Sequence, residues 1–245
     1  MSKLTPVLSA HWDEKDSFTI EAYTRHGGYG ASKKALAMDP DAVIQMVKDS
    51  GLRGRGGAGF PTGLKWSFMP PVDPNIPRFL CCNGDESEPG TFKDRYILHQ
   101  DPHQLIEGLV IAAFATNVHL SYIYIRCEFP KAAKIVWNAI KEARAKGFLG
   151  KNILGSGFDL DIYVHQGAGA YICGEESAMI ESIEGKRGEP RMRPPYIAQV
   201  GLFGRPTLAH NFETLYWVRD IVQKGPKWFS GYGRHDRKGL RSFSV

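Results

Sequence analysis

Gly51-Leu52-Arg53-Gly54-Arg55-Gly56-Gly57-Ala58-Gly59-Phe60 is the stretch on which the fold turns. Its centre satisfies the spacing G-x-G-x-x-G, which in a dinucleotide-binding turn follows a strand and opens a helix. The residues upstream argue otherwise. Residues 39–49 carry Pro40 in a first-turn position and Val43, Ile44 and Val47 at helical spacing, and Gly51 falls where a C′ glycine ends a helix. The loop therefore leaves a helix. With so few side chains, its backbone amides are open to a flat or anionic ligand. Arg55, Lys65, Phe60, Trp66 and Phe68 add charge and stacking surface, which flexible linkers lack.

Beyond the loop the chain alternates strand and helix patterns. Residues 78–83 form a short apolar run, 103–116 a helix opened by Asp101 and Pro102, and 120–126 a buried strand with alternating Tyr and Ile. Residues 130–146 are again helical, with Ala133, Val136, Trp137 and Ile140 on one face, and Gly147 stops them. A strand at 160–165, a glycine turn at 167–170 and a helix at 174–184 follow. This order predicts an α/β fold, a mostly parallel sheet flanked by helices, with ligands bound beyond the carboxyl ends of the strands. Residues 186–206, rich in Pro, Arg and Gly, read as a long ordered loop. Asn211 caps a helix running to Lys224, with Leu215, Val218, Ile221 and Val222 inward, and residues 240–245 look like the start of a strand. The expected division is an extension at 1–35, an α/β domain at 36–230 and the beginning of a second domain at 231–245.

The chain has 245 residues, 42% of them hydrophobic, and a net charge of +5. Its basic residues are dispersed, which argues against nucleic acid. The longest apolar run, residues 105–115, is broken by Glu107 and is too short to span a membrane. No secretory signal is visible at the N-terminus, so a cytoplasmic address is expected. Cys81, Cys82, Cys127 and Cys173 contain no C-x-x-C, and the histidines lack metal spacing. Free thiols and no bound metal are expected.

Two further segments can carry chemistry. Asn83-Gly84-Asp85-Glu86-Ser87-Glu88, at the end of the first strand, concentrates carboxylates that need hydroxyls, amides or cations to take up their charge. Arg55, Lys65 and Lys93 favour an organic ligand there over a divalent metal. In Gly167-Ala168-Gly169-Ala170-Tyr171-Ile172-Cys173-Gly174-Glu175-Glu176 a strand does run through glycines into a helix, which sets free amides at the mouth of the sheet. Acidic residues are favoured at helix N-termini in any case, and that accounts for one of the two glutamates. The other suits ribose hydroxyls and would repel a 2′-phosphate. No G-x-S-x-G elbow is present.

Taken together, the loop at 51–68, the stretch 83–95, the stretch 167–176 and residues 185–195 resemble the NADH-oxidising 51-kDa flavoprotein subunits of respiratory complex I and the related diaphorase subunits of NAD-linked hydrogenases and formate dehydrogenases. The resemblance runs from about Gly27 onward. It implies a Rossmann-like sheet with a non-classical glycine loop, followed by the start of a small ubiquitin-like domain. It implies FMN held by Gly54, Arg55, Gly56, Lys65, Asn83, Asp85, Glu86, Tyr171, Gly174, Glu175 and Asn211. NADH would touch Gly57, Ala58, Ser87, Glu88 and Glu176, with Phe60, Phe68 and Tyr196 bracketing its rings. Glu88 and Glu176 are the candidate catalytic residues, acting electrostatically on hydride transfer.

Family members pass electrons singly to a 4Fe–4S cluster held by a C-terminal cysteine motif that this sequence lacks. They work beside a thioredoxin-like 2Fe–2S subunit and a larger iron–sulfur subunit, in the peripheral arm of a complex on the cytoplasmic face of the inner membrane. The implied function is NADH dehydrogenase feeding quinone. The alternatives are a diaphorase subunit or an inactive docking module. Four positions depart from the family pattern: Gly84 stands for Ala, Arg193 for Lys, Tyr196 for Phe and His210 for Asn. Arg193 and Tyr196 keep charge and ring. His210, beside Asn211, is expected either to alter a flavin contact or to mark the hydrogenase or formate dehydrogenase branch.

Overall fold

The computed structural model describes residues 6–245. In chain order the elements are α1 (Ile20–Arg25), α2 (Gly30–Leu36), α3 (Pro40–Asp49), α4 (Thr62–Trp66), β1 (Phe79–Gly84), α5 (Lys93–Gln100), α6 (Pro102–Ala115), β2 (Leu120–Ile125) and α7 (Pro130–Ala145). Then come β3 (Asp161–Gln166), α8 (Glu176–Ile183), β4 (Thr207–Asn211), α9 (Phe212–Lys224), α10 (Pro226–Ser230) and the short pair β5 (Gly233–Arg234) and β6 (Arg237–Lys238). The main sheet has the order β3-β2-β1-β4, and every pairing is parallel. From β1 the chain steps outward to β2 and β3, then returns to the other side of β1. The reversal lies between β1 and β4, which is where open parallel sheets bind ligands.

Strand alternation divides the core. Leu80 and Cys82 of β1 face α6, α7 and α9, whereas Phe79 and Cys81 face α8 with Met179, Ile180 and Ile183. Helix α6 is buried on nearly its whole circumference and packs against α9 and α2. A helix apolar on all sides is stable only in such a setting. The N-terminal helices join the same core through Ile20, Tyr23, Tyr29, Ala31 and Ala35. Thr19 caps α1 by accepting from the Ala22 amide.

The structure departs from the sequence reading at several points. Trp137 is 52% exposed, with the Lys141 ammonium 3.2 Å from its ring centroid, while Ala133, Val136 and Ile140 are buried. The tryptophan shields a lysine stem rather than filling the core. Residues 240–245 form no strand, and the only pairing after α10 among the described residues is the hairpin of β5 with β6. Strand β4 and helix α5 lay in stretches without a readable pattern. The cysteines are free, with Cys81, Cys82 and Cys173 buried and Cys127 exposed.

Candidate functional site

Three segments converge where β1 and β4 end. The glycine loop does leave a helix: Gly51, at φ 68°, follows the last turn of α3. A bridge between Arg53 and Pro61 closes it, with Gly54 N–H donating to Phe60 O at 2.8 Å. Gly57 and Gly59 sit at φ 117° and 64°, conformations that side chains resist. Gly56 lies against β4, where an added Cβ would come within 3.1 Å of the Asn211 Cβ.

From α4, Lys65 reaches under this loop. Its Nζ donates to Glu176 Oε2 at 2.7 Å and to the Ala209 carbonyl at 2.8 Å, tying α4 to α8 and to the end of β4. Arg193 pairs with Glu175 and lies 3.5 Å from Glu176. The two adjacent glutamates have different tasks. Glu175 caps α8, accepting from the Ser177 and Ala178 amides at 2.9 and 3.0 Å, which is the helix-end role expected of one of them. Glu176 is left to the cradle.

The acidic loop is equally divided. Asn83 Nδ2 donates to Gly174 O at 2.9 Å, joining the second segment to the third, and its Oδ1 accepts from the Asp85 amide. Ser87 Oγ donates to Asp85 Oδ1 at 2.6 Å, while Asp85 Oδ2 is sealed from solvent without a partner. Burial raises the Asp85 carboxyl above its ordinary range despite the Ser87 bond. Glu86 points away and accepts from the Asp94 and Arg95 amides at 2.9 and 3.1 Å, so it serves as the cap of α5. Burial and the nearby Asp94 raise its pKa. Tyr171 donates to Glu88 Oε2 at 2.5 Å, across the mouth of the cradle.

Behind these residues lies a charged layer in which Asn211 and Lys93, both named from the sequence, meet Asp94 and Glu213, which were not. Asn211, the N-cap of α9, donates to Asp94 Oδ2 at 2.6 Å and accepts from Lys93 and from the Glu213 amide. Lys93 also meets Glu213 at 3.2 Å. Burial alone would lower the Lys93 pKa, but Asp94 and Glu213 raise it, so the ammonium is kept charged. Arg55 does not present its side chain to the cradle. Its guanidinium donates to the Leu240 and Arg53 carbonyls, and its amide donates to Thr214 Oγ1. Residues 240–244 are bound there, with Ser242 N–H on Glu213 and Ser244 Oγ accepting from the Phe92 amide. An arginine in a glycine loop looks the same in sequence whether it faces ligand or core.

Two departures acquire physical reasons. A Cβ on Gly84 would lie 2.2 Å from the Phe212 ring and 2.8 Å from Tyr124 O, so glycine here goes with phenylalanine at 212. His210 is 6% exposed and accepts from Trp66 Nε1–H at 2.8 Å. Phe60, Phe68, Tyr171 and Tyr196 are all more than two-fifths exposed, with the rings of Phe60 and Phe68 5.9 Å apart. Rings so open beside a polar floor suit a planar ligand. A groove of about 580 Å³ lined by Lys48, Arg53, Leu64 and Lys238 lies behind the loop, so depth does not mark the site here; lining chemistry does.

Away from the cradle, His11, Glu14 and His26 gather at the N-terminal segment, with His26 Nε2 on Glu14 Oε1 at 2.5 Å. The two imidazoles stack at 3.7 Å with 11° between their planes. Near-parallel rings do not aim their in-plane lone pairs at one point, and the contact the cluster makes is a hydrogen bond from His26 to Glu14. Among the described residues no helix is long and apolar enough to cross a membrane.

Comparison with known proteins bears on this geometry. Residues 47–220 match the family model of the Nuo51 FMN-binding domain. A subunit of the NADH-quinone oxidoreductase of Mycobacterium tuberculosis is 52% identical over 248 residues, covering 99% of this chain and 56% of that protein. The mitochondrial 51 kDa subunit of NADH-ubiquinone oxidoreductase from Neurospora crassa is 52% identical over 222 residues, covering 89% of this chain and 45% of that one. A solved NAD+-reducing [NiFe]-hydrogenase in the H2-reduced state superposes with a TM-score of 0.76 at 45% identity, covering 84% of this chain and 35% of the other. The chain thus spans about half the length of the curated relatives it matches.

Proposed function

The chain belongs to the Nuo51 FMN-binding family, and from that premise we propose that it is the electron-input flavoprotein part of an NADH:quinone oxidoreductase of the complex I type. The observation that carries the reading is the cradle at the β1/β4 reversal. It combines a side-chain-free loop, an unpartnered buried carboxylate oxygen on Asp85 and open aromatic rings. These features fit FMN. The loop amides and the open space at Gly57 leave room for a flat ring system, Asp85 Oδ2 lacks a donor such as a sugar-alcohol hydroxyl, and Gly174 keeps the space beside that oxygen free of a side chain. Gly54, Gly56, Lys65, Asn83, Asp85, Tyr171, Gly174 and Asn211 would hold the cofactor, which when bound accepts a hydride and returns electrons singly.

The remaining steps belong to the chain's own residues. Phe60, Phe68 and Tyr196 stack against NADH, and Gly57, Ala58 and Ser87 let its backbone lie close. Glu88 and Glu176 set the local field without moving a proton, Glu88 held by Tyr171 and Glu176 by Lys65. Arg55, Glu86 and Glu175 act through the loops they fasten. We place the 4Fe–4S cluster and the ubiquitin-like domain, which 231–245 would begin, in further parts of the parent polypeptide. Its partners are a thioredoxin-like 2Fe–2S subunit and a larger iron–sulfur subunit, on the cytoplasmic face of the inner membrane. The names of the curated relatives favour this parent over a hydrogenase or formate dehydrogenase.

Protein supplied with FMN should reduce ferricyanide with NADH, and NADPH should be a much poorer donor. A folded protein that stays inert toward NADH at saturating FMN contradicts the proposal.

A further inference from the structure

The indole of Trp66 has one polar atom, Nε1–H, and that atom only donates. It donates to His210 Nε2 at 2.8 Å in a buried layer. Nε2 is therefore the unprotonated nitrogen, and a neutral ring must carry its proton on Nδ1. The surroundings keep the ring neutral. Burial lowers its pKa well below the ordinary histidine value, and Lys65, the charged group that faces it, lowers it further. Alternation along β4 sends His210 to the same side as Leu208 and Trp66, while the intervening Ala209 faces α8 and offers its carbonyl to Lys65. Nδ1 has no protein partner among the described residues and is not sealed from solvent.

Resting on the FMN reading above, we propose that Trp66 locks His210 as the Nδ1–H tautomer, so that position 210 offers bound FMN a hydrogen-bond donor and neither an acceptor nor a charge. The asparagine that the family pattern has here carries both a carbonyl and an amide and can turn either one outward. A tautomer-locked imidazole cannot. The group that meets it must be an acceptor: a carbonyl oxygen, an unprotonated ring nitrogen or a phosphate oxygen. The imide N–H of the flavin is excluded as its partner. Trp66 is the positioning residue. It touches no ligand and acts only by occupying Nε2. Since the ring stays neutral, the contact does not titrate across the working pH range.

Two measurements test this. Protein labelled with 15N-histidine and examined by NMR without flavin, from about pH 5.5 to 8, should show one ring protonated on Nδ1 and unchanged throughout. His210→Asn identifies its signals by their loss, and Trp66→Phe should give a tautomer mixture that titrates. A ring protonated on Nε2, or one titrating in the unaltered protein, overturns the assignment. FMN affinity, read by flavin fluorescence quenching, should weaken roughly three- to tenfold in His210→Phe, the loss expected for one hydrogen bond, and stay within about twofold in His210→Asn. Equal affinity of the unaltered protein and His210→Phe overturns the contact and leaves the FMN reading standing. Failure of the unaltered protein to take up FMN overturns that reading, whatever tautomer the NMR finds.

Discussion

The cradle at the strand ends and the buried network around Glu107 are built from the same residue types, and they differ in how fully those residues answer one another. Glu107, fully buried on α6, accepts from the Tyr23 hydroxyl and from the Tyr29 and Ser32 amides, with Arg219 3.7 Å away. Tyr29 OH meets His103 Nδ1 at 2.8 Å, and His103 Nε2 meets Glu142 at 3.0 Å. Burial raises the Glu107 pKa against these donors. Both Glu107 carboxylate oxygens are engaged, so the network holds α1 and α2 to the core and its acceptor is spent. In the cradle, Asp85 keeps a buried oxygen unpaired and four aromatic rings stand open. The network has unpartnered atoms of its own, Ser32 Oγ and Arg219 Nε, and what sets the cradle apart is that its unpartnered carboxylate oxygen lies beside open rings and bare backbone.

Removing the centre of the network should have the largest effect. Glu107→Ala leaves two amides and a hydroxyl without an acceptor and Arg219 with Asp220 as its one remaining carboxylate, and should cost about 3–5 kcal/mol by denaturant unfolding. FMN affinity of the molecules that remain folded should be unchanged. A loss below about 1 kcal/mol would mean that the network is not what fastens the N-terminal helices. Gly84→Ala comes next, at about 1–3 kcal/mol, because the methyl group meets the Phe212 ring. Pairing it with Phe212→Val should recover part of the loss, and strict additivity of the two would break the coupling inferred between them.

A smaller effect follows from Asp101, whose carboxyl burial pushes up to about 7. Its folded pKa lies above the unfolded value, so its contribution is complete below the ordinary carboxylate range and is lost as pH rises through about 7. Tm should therefore decline between roughly pH 4 and 7, and Asp101→Asn should flatten that slope while keeping an acceptor for Tyr216 and the Gln104 amide. An unaltered slope removes Asp101 as its source. The smallest change is one of selectivity. Glu176→Gln removes a negative charge and leaves that of Lys65 uncompensated while keeping an acceptor for it, so the ratio of NADPH to NADH use should rise severalfold in steady-state assays. An unchanged ratio takes Glu176 out of that role.

The parallel sheet was legible because β1, β2 and β3 are short apolar runs bounded by turns, α3, α6 and α9 have side-chain caps, and α7 opens on Pro130 with helical spacing behind it. Strand β4 was not, since its five residues follow a Pro-rich loop and are fixed by pairing with β1, a contact remote in sequence. Helix α5 is largely polar, and its cap is Glu86, from outside the helix. Of the site, sequence shows which segments meet and not where each side chain turns. Glu176 lies against Lys65 and Asp85 beside Gly174, whereas Arg55 and Glu86 are spent on holding the loops; Trp66, expected as stacking surface, is buried against His210, and Asp94 enters through a contact over a hundred residues away in sequence.

Hydrogen exchange of the protein with and without FMN separates the two regions most directly. Added protection should be confined to residues 54–60, 83–88 and 171–176 and absent from residues 20–36 and 107. Protection centred on the Glu107 network, or none anywhere at saturating FMN, would contradict the assignment of the cradle as the flavin site.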